Sequence, residues 1–483
     1  MLIVLVACAG SLLFLGQNPT GGLPLDDGYI YQTYAMHAAQ GHWFEYTIGE
    51  RSGGITGFLW FLIVTGVSRI APVVGWMLPA LWPMYVISIA ALCWTGWLVY
   101  QAAAETSGPS FSALLVATAL VLDPAILWGT LSGLELPVTY VVGSASLLVF
   151  TRESQTAAYR YSPWLMGLAY WARPEMLVLP VAACLVIAMR APHARVAIAS
   201  VVQFALPTVV FVGLCAAAYW WFTGLPLPSS FYLKVSGRHG WSDVALSTYD
   251  LARQVHYSFP IFRWYLAAIV GLVFANREQR RQLALPVSFS ILFFVGRIVT
   301  IPDIGQVARY ITPMYPALAV ITSAGLARAE RQLATRRMAV AIAALVAVVA
   351  WSLSADYQFA RAGYRVHVRN IDDGAVSPAR WIREHTPAET RIALEPVGAV
   401  GLYGDRPIVD IVGLTTPDML GHGGDWQYIR RYLRARGANY LLYYPDLFPE
   451  RRVPGWLSPV MTFPIPDNEM AASDPIVLYA VTD

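Results

Sequence analysis

The chain has 483 residues, 57% of them hydrophobic and 13% charged, with a formal net charge of +3. A soluble globular domain carries roughly 25% charged residues, so this balance excludes an ordinary cytosolic protein and points to a polytopic membrane protein. So small a net charge also excludes nucleic acid as an expected partner.

Residues 1–16, MLIVLVACAGSLLFLG, would form a helix of about 24 Å, short against a hydrocarbon core of roughly 30 Å. They lack a basic n-region, and Cys8 comes too early for a lipoprotein cleavage box. The segment therefore reads as a short first span rather than a signal peptide.

The next stretch, Leu25 to Gly57 (LDDGYIYQTYAMHAAQGHWFEYTIGERSGGITG), opens with two adjacent carboxylates, Asp26 and Asp27. Ile30, Tyr31, Tyr34, Ala35 and Ala38 then share one helical face, while Gln32, Thr33 and Gln40 fall on the other. This pattern predicts an amphipathic helix in the membrane interface, with both aspartates at its N-terminal end, where acids suit the helix dipole. A lone acid there reads as an N-cap; the pair, followed by GER and GGITG, favours chemistry.

Further apolar stretches run at 55–71, 77–100, 111–131, 136–150, 163–190, 196–222, 259–275, 283–299, 310–327 and 338–354. The stretch 163–190 is interrupted by Arg173-Pro174-Glu175. A charge at the bilayer centre costs about 2.5–3.5 kcal/mol on the insertion scale, so two segments meeting near the outer surface are favoured over one kinked span. With 55–71 read as re-entrant or juxtamembrane, about ten or eleven spans are expected. Arginines at 190 and 195, at 277, 280 and 281, and at 328, 331, 336 and 337 mark cytoplasmic loops by the positive-inside rule. Parity then places the first loop (17–57), the loops at 223–258 and 300–309, and everything after residue 355 outside the cytoplasm.

From about residue 356 charges, glycines and prolines return. PARWIREH and DWQYIRRYLRARG read as amphipathic helices, and RIALEP, RPIVDIVGL, ANYLLYYP and DPIVLYAV as short strands. The expected architecture is a mainly α polytopic domain over 1–355 followed by a small α/β domain over 356–483. Cys8, Cys93, Cys184 and Cys215 all lie in apolar runs and read as small membrane residues. No nucleotide, zinc or dithiol motif occurs, and the aspartate pair has no other obvious ligand beside it. Neither a cofactor nor a divalent metal is expected.

Several polar groups join Asp26 and Asp27 on the expected outer side: Tyr29, Glu50 and Arg51, Glu135 at the end of LSGLE, Arg173 and Glu175, Lys234, Asp303, and Arg309-Tyr310. Singly, each is more often a capping or snorkelling residue; together they place acids and bases at one membrane face. Such a face suits transfer from a lipid-phosphate carrier. A carboxylate takes the acceptor hydroxyl's proton, and Arg or Lys holds the phosphate leaving group.

The stretch LDDGYIYQTYAMHAAQGHWFEYTIGERSGGITGFLW resembles the first external loop of GT-C glycosyltransferases, where an acidic pair follows the first span. Within that superfamily it is most similar to the terminal arabinofuranosyltransferases of mycobacterial cell-wall arabinan and their bacterial relatives. LSGLE at 131–135, ARPE at 172–175, SSFYLK at 229–234, ARYITPMYP at 308–316 and VDIVGLTTPD at 409–418 are similar to later motifs of that group. The GGITGFLW run departs from the GYTSPLW-like run usual there. The resemblance implies a bacterial inner-membrane enzyme with its active site and tail on the extracytoplasmic side. It would move a sugar, arabinofuranose above others, with inversion from a polyprenyl-phosphate donor to a cell-envelope glycan acceptor. By that resemblance Asp27 or Asp26 would be the base, with Glu50 and Glu135 supporting the sugar site. From their place at the outer face, Tyr29 and Glu175 are expected to join them toward sugar and acceptor, and Lys234, Arg309, Arg173 and Tyr310 to hold the donor phosphate. Rival readings are a transferase of another lipid-linked sugar (mannose, aminoarabinose or galactose) acting on lipopolysaccharide or protein, a transporter or flippase, and a non-catalytic envelope scaffold. A transporter's coupling residues belong near the bilayer midplane, whereas these acids lie in loops and at span ends.

Overall fold

The computed structural model describes residues 1–18, 20–70, 81–235, 259–300, 306–332 and 360–482. Each expected apolar stretch within those residues is helical in large part; the one at 338–354 lies outside them. Leu81–Ser107 and Ala194–Thr223 are long and apolar enough to cross a bilayer, and Phe111–Val121 with Pro124–Thr130, bent by 53°, makes a third if taken as one broken span. By length alone the described residues thus give two or three crossings, where the sequence predicts ten or eleven. The other helices are short or interrupted, or, like Leu136–Ser154 and Tyr315–Gln332, long enough but less apolar. Leu2–Leu15 has 14 residues and Phe58–Ile70 has 13. Asp123 makes the 53° bend, its carboxylate accepting from the Ala125 and Ile126 amides and from Trp264 Nε1. The apolar exterior is nonetheless extensive: Ala194–Thr223 turns Ile198, Val202, Leu206, Val209, Leu214 and Trp221 outward.

The stretch 163–190 breaks where its charges lie. Helix Ser162–Ala172 stops at Arg173, which is extended (φ −155°, ψ 130°), and a single turn at Pro174–Leu177 leads into Val178–Arg190. Proline disfavours a helical residue before it, so Pro174 fixes this corner and turns Arg173 and Glu175 out of the helical stack.

In the first loop β1 (Glu45–Thr47) and β2 (Glu50–Arg51) form a short antiparallel hairpin. The tail holds β3 (Arg391–Leu394), β4 (Ile408–Asp410), β5 (Ala438–Tyr443), β6 (Leu457–Phe463) and β7 (Ile476–Val481), in the order β4-β3-β5-β7-β6. The first three are parallel, and β7 runs antiparallel to both β5 and β6. All four expected strands are present. β6 is the additional one: it is an edge strand exposed from Ser458 to Thr462, where Pro459 is tolerated and no alternation betrays it.

Ile392, Leu394, Leu442 and Leu478 share a continuous core with the helical region, while Ala393, Val409, Leu441 and Tyr479 pack on the other face against Ile429 and Leu433 of helix Trp426–Ala435. The tail is thus fused to the helical part through buried apolar surface. This docking alters the expected interfacial helix. Asp27–Ala39 is buried on both sides, Gln32 and Thr33 being each 2% exposed, because Phe58–Ile70 covers one flank and helix Val397–Tyr403 of the tail another.

Candidate active site

Asp27 is placed by close backbone packing. Gly28 lies against the turn at Ser132–Gly133, where a Cβ would come within 2.5 Å of Ser132 O, and Gly133 itself has φ +79°. Only glycine fits both positions, so the acid pair and the LSGLE turn are locked together. The GGITG segment is held on the other side. Tyr31 Oη accepts from the Gly57 amide (2.7 Å), Tyr34 Oη from the Gly54 amide (3.0 Å), and Tyr219 Oη donates to Ile55 O (2.8 Å). The Ser229 amide donates to Gly53 O, and Ser230 bonds Thr56, so the SSFYLK motif meets the first loop here.

The two aspartates have different surroundings. Asp26 caps a helix, but not its own: its carboxylate accepts from the amides of Gly398 (2.7 Å) and Ala399 (2.8 Å), at the start of Val397–Tyr403. Burial pushes its carboxyl up to about 6 against the pull of these amides, and Asp27 adds repulsion. Asp27 instead is about half exposed (48%) and forms an ion pair with Arg309, Oδ2 to Nη1 at 2.9 Å.

Arg309 belongs to a buried cationic cluster. Arg173, Arg297 and Arg309 are 3%, 3% and 8% exposed. Their guanidiniums lie 5.5, 4.7 and 4.8 Å from the ring centre of Tyr310, whose hydroxyl also accepts from Arg309 Nη2. Arg173 pairs with Glu135 (3.1 Å) and Glu175 (3.3 Å), and Arg297 approaches Glu175 at 3.8 Å. Buried guanidiniums need such partners. Three cations share two glutamates, so Asp27 supplies the third negative charge. Arg309 Nε is buried without a hydrogen-bond partner among the described residues.

Glu135, Arg173, Glu175, Arg309 and Tyr310 therefore converge with Asp27. Glu50 lies elsewhere in the contact pattern: it bridges Arg391 (2.8 Å) and Arg436 (3.3 Å) of the tail. Alongside it Tyr46 Oη donates to Val397 O, and Thr47 exchanges hydrogen bonds with Ile408, so the hairpin fastens the first loop to the sheet. Tyr29 is fully buried, its hydroxyl accepting from the Leu23 amide and its ring edge-on to Tyr403. Lys234 is in the short helix Ser229–Val235; its side chain and Asp303 lie outside the described residues.

Two residues of this region were not singled out from the sequence. Arg297 did carry a signal, since a lone arginine in FFVGRIVT violates an apolar run. Glu395, after β3, carried none: its carboxyl is pushed up to about 7, chiefly by burial, then by the nearby charges of Asp26, Asp410 and Asp27. Among the described residues no cluster of three or more metal-ligating side chains is found.

A family model described as a domain of unknown function, DUF8728, matches residues 358–479, and no curated protein matches the chain by sequence. Among solved structures the whole chain is similar to the oligosaccharyltransferase of Archaeoglobus fulgidus tethered to an acceptor peptide with the NVT sequon. The TM-score is 0.58 at 11% identity, covering 74% of that chain. The whole chain is also similar to arabinofuranosyltransferase AftD from mycobacteria, with a TM-score of 0.51 at 16% identity, but it spans only 41% of that protein's length. At these identities the likeness is one of fold alone.

Proposed function

We propose that this protein is an inverting GT-C glycosyltransferase that moves a sugar from a polyprenyl-phosphate carrier to a cell-envelope glycan, with arabinofuranose the favoured sugar. The observation that carries the reading is the half-exposed Asp27 carboxylate, paired with Arg309 at the edge of the three-arginine cluster. The acceptor oxygen attacks the anomeric carbon and forms the new C–O bond, while the bond from that carbon to the phosphate oxygen breaks. Asp27 takes the hydroxyl proton, and the phosphate departs with its charge held by Arg309. Donor binding is coupled to the base, because a phosphate that engages Arg309 competes for the cation that Asp27 otherwise holds. Asp26 is committed to the Gly398 and Ala399 amides, so the role of base falls to Asp27. Buried Glu135 and partly buried Glu175 then act through Arg173 and Arg297, holding the cluster in place rather than touching the acceptor. The likeness of fold to two glycosyltransferases supports the reading, and the loop motifs support the sugar.

The purified protein in nanodiscs, assayed with polyprenyl-phosphate arabinofuranose, mannose, aminoarabinose and galactose, tests this directly. Transfer from the arabinofuranosyl donor is expected; transfer from another donor alone corrects the sugar, and inertness to all four refutes the transferase.

The membrane proposed is a bacterial inner membrane with the site outside the cytoplasm, a sidedness that the arginine distribution supports. Asp405 and Glu278 are both exposed. In a cysteine-free background Asp405→Cys should react with an impermeant thiol reagent in intact spheroplasts and Glu278→Cys should not. The reverse labelling inverts the topology.

A further inference from the structure

The parallel half of the tail sheet contains a switch point. β3 continues into helix Val397–Tyr403 and β4 on one side, while its other neighbour, β5, continues toward β6 and β7. Connections that leave adjacent parallel strands in opposite directions open a crevice beyond their carboxyl ends, where α/β sheets bind ligands. Glu395 directly follows β3, and Tyr443 and Tyr444 stand at the end of β5 within range of its charge. Asp26 and Asp27 of the first loop, and Asp410 at the end of β4, are its other charged neighbours.

These acids differ in what they have left to offer. Asp26 is taken up by two tail amides, and Asp410 by the amides of Val412, Gly413 and Thr415. Asp27 is held by Arg309. Glu395 is half-buried, and among the described residues it makes no hydrogen bond or ion pair. A carboxyl in such surroundings is costly unless something arrives to bond it. Its position, near Asp27 and on the side of the tail, is where a hydroxylated molecule approaching from outside the membrane would meet it.

We infer that Glu395 binds a hydroxyl of the acceptor sugar, so that the acceptor site is built jointly by the first external loop and the carboxyl ends of β3 and β5. This rests on the glycosyltransferase reading above. A carboxyl that titrates near neutrality can bond a sugar hydroxyl in either protonation state, accepting when charged and donating when neutral.

The test is steady-state kinetics in nanodiscs with a polyprenyl-phosphate arabinofuranose donor and a synthetic oligoarabinofuranoside acceptor, replaced by whichever pair of the panel supports wild-type turnover. Glu395→Ala should raise the acceptor KM about 10–100-fold and leave the donor KM unchanged, the loss expected for one hydrogen bond to a charged group. Glu395→Gln, which keeps the shape and the hydrogen-bonding capacity, should stay within a few-fold of wild type at pH 7. It should also abolish the change in acceptor KM that the wild type undergoes between pH 6 and pH 8. A merely structural role moves both KM values together or lowers the melting temperature of both variants. An unchanged acceptor KM in a folded Glu395→Ala protein overturns the inference and leaves the transferase reading intact, whereas a wild-type protein inert to the whole panel overturns both.

Discussion

Asp27→Asn should lower turnover by about 10²–10⁴-fold, the usual contribution of a positioned general base, while the protein remains folded. Asparagine keeps the size of the side chain and an oxygen that can accept from Arg309, so the 2.9 Å contact has a substitute. It cannot accept the acceptor's proton. Asp26→Asn should fail differently. That carboxylate accepts from two amides of the tail, and hydrogen bonds to a charged group are each worth about 1.5–3 kcal/mol. Its loss should lower the melting temperature and loosen the tail, with turnover per folded molecule falling much less than for Asp27→Asn. Turnover and melting curves on both variants separate base from brace; near wild-type turnover in Asp27→Asn sinks the assignment.

The largest effect on stability is expected at Arg173. Its side chain is 4% exposed and lies between Glu135, 6% exposed, and Glu175. Arg173→Met leaves both glutamates without this partner and removes one cation from the face of Tyr310. Removing one side of a buried pair typically costs about 3–5 kcal/mol, because the stranded charge is the expensive species. The double variant Arg173→Met, Glu135→Gln should recover much of that loss, since neutralising the stranded acid removes most of the penalty. Melting in nanodiscs checks both. If Arg173→Met melts like the wild type, the cluster is not a buried network, and its proposed role in holding Arg309 falls with it.

The sequence and the structure agree where the information is local. The break at Arg173-Pro174-Glu175 could be read from the price of burying charge and from proline's missing N–H, and four of the five tail strands from their apolar runs. What could not be read depends on contacts across hundreds of residues. Gln32 and Thr33 of Asp27–Ala39 are buried, with Phe58–Ile70 and helix Val397–Tyr403 packed on that helix, so a pattern that predicts an interfacial helix belongs to an interior one. Glu50 has every local mark of a site residue, yet its partners are Arg391 and Arg436. Adjacent in sequence, Asp26 and Asp27 gave no sign of their different partners, the Gly398 and Ala399 amides for the one and Arg309 for the other. Arg297 was legible in principle, as a charge inside an apolar run, but its company, the Tyr310 ring and the Glu175 carboxylate, comes from distant parts of the chain. Among the described residues two helices, or three with one bent pair, are long and apolar enough to cross a bilayer; the other apolar runs form shorter or more polar helices, whose extents the composition does not reveal.

The most direct measurement is a cryo-EM structure of the protein in nanodiscs with a polyprenyl-phosphate sugar bound, using Asp27→Asn to slow turnover. The expected result is a lipid phosphate within hydrogen-bond distance of the Arg309 guanidinium, with the anomeric carbon of the sugar turned toward residue 27. A donor phosphate bound away from Arg309, with the Asp27 position remote from the sugar, would contradict the proposed catalytic centre.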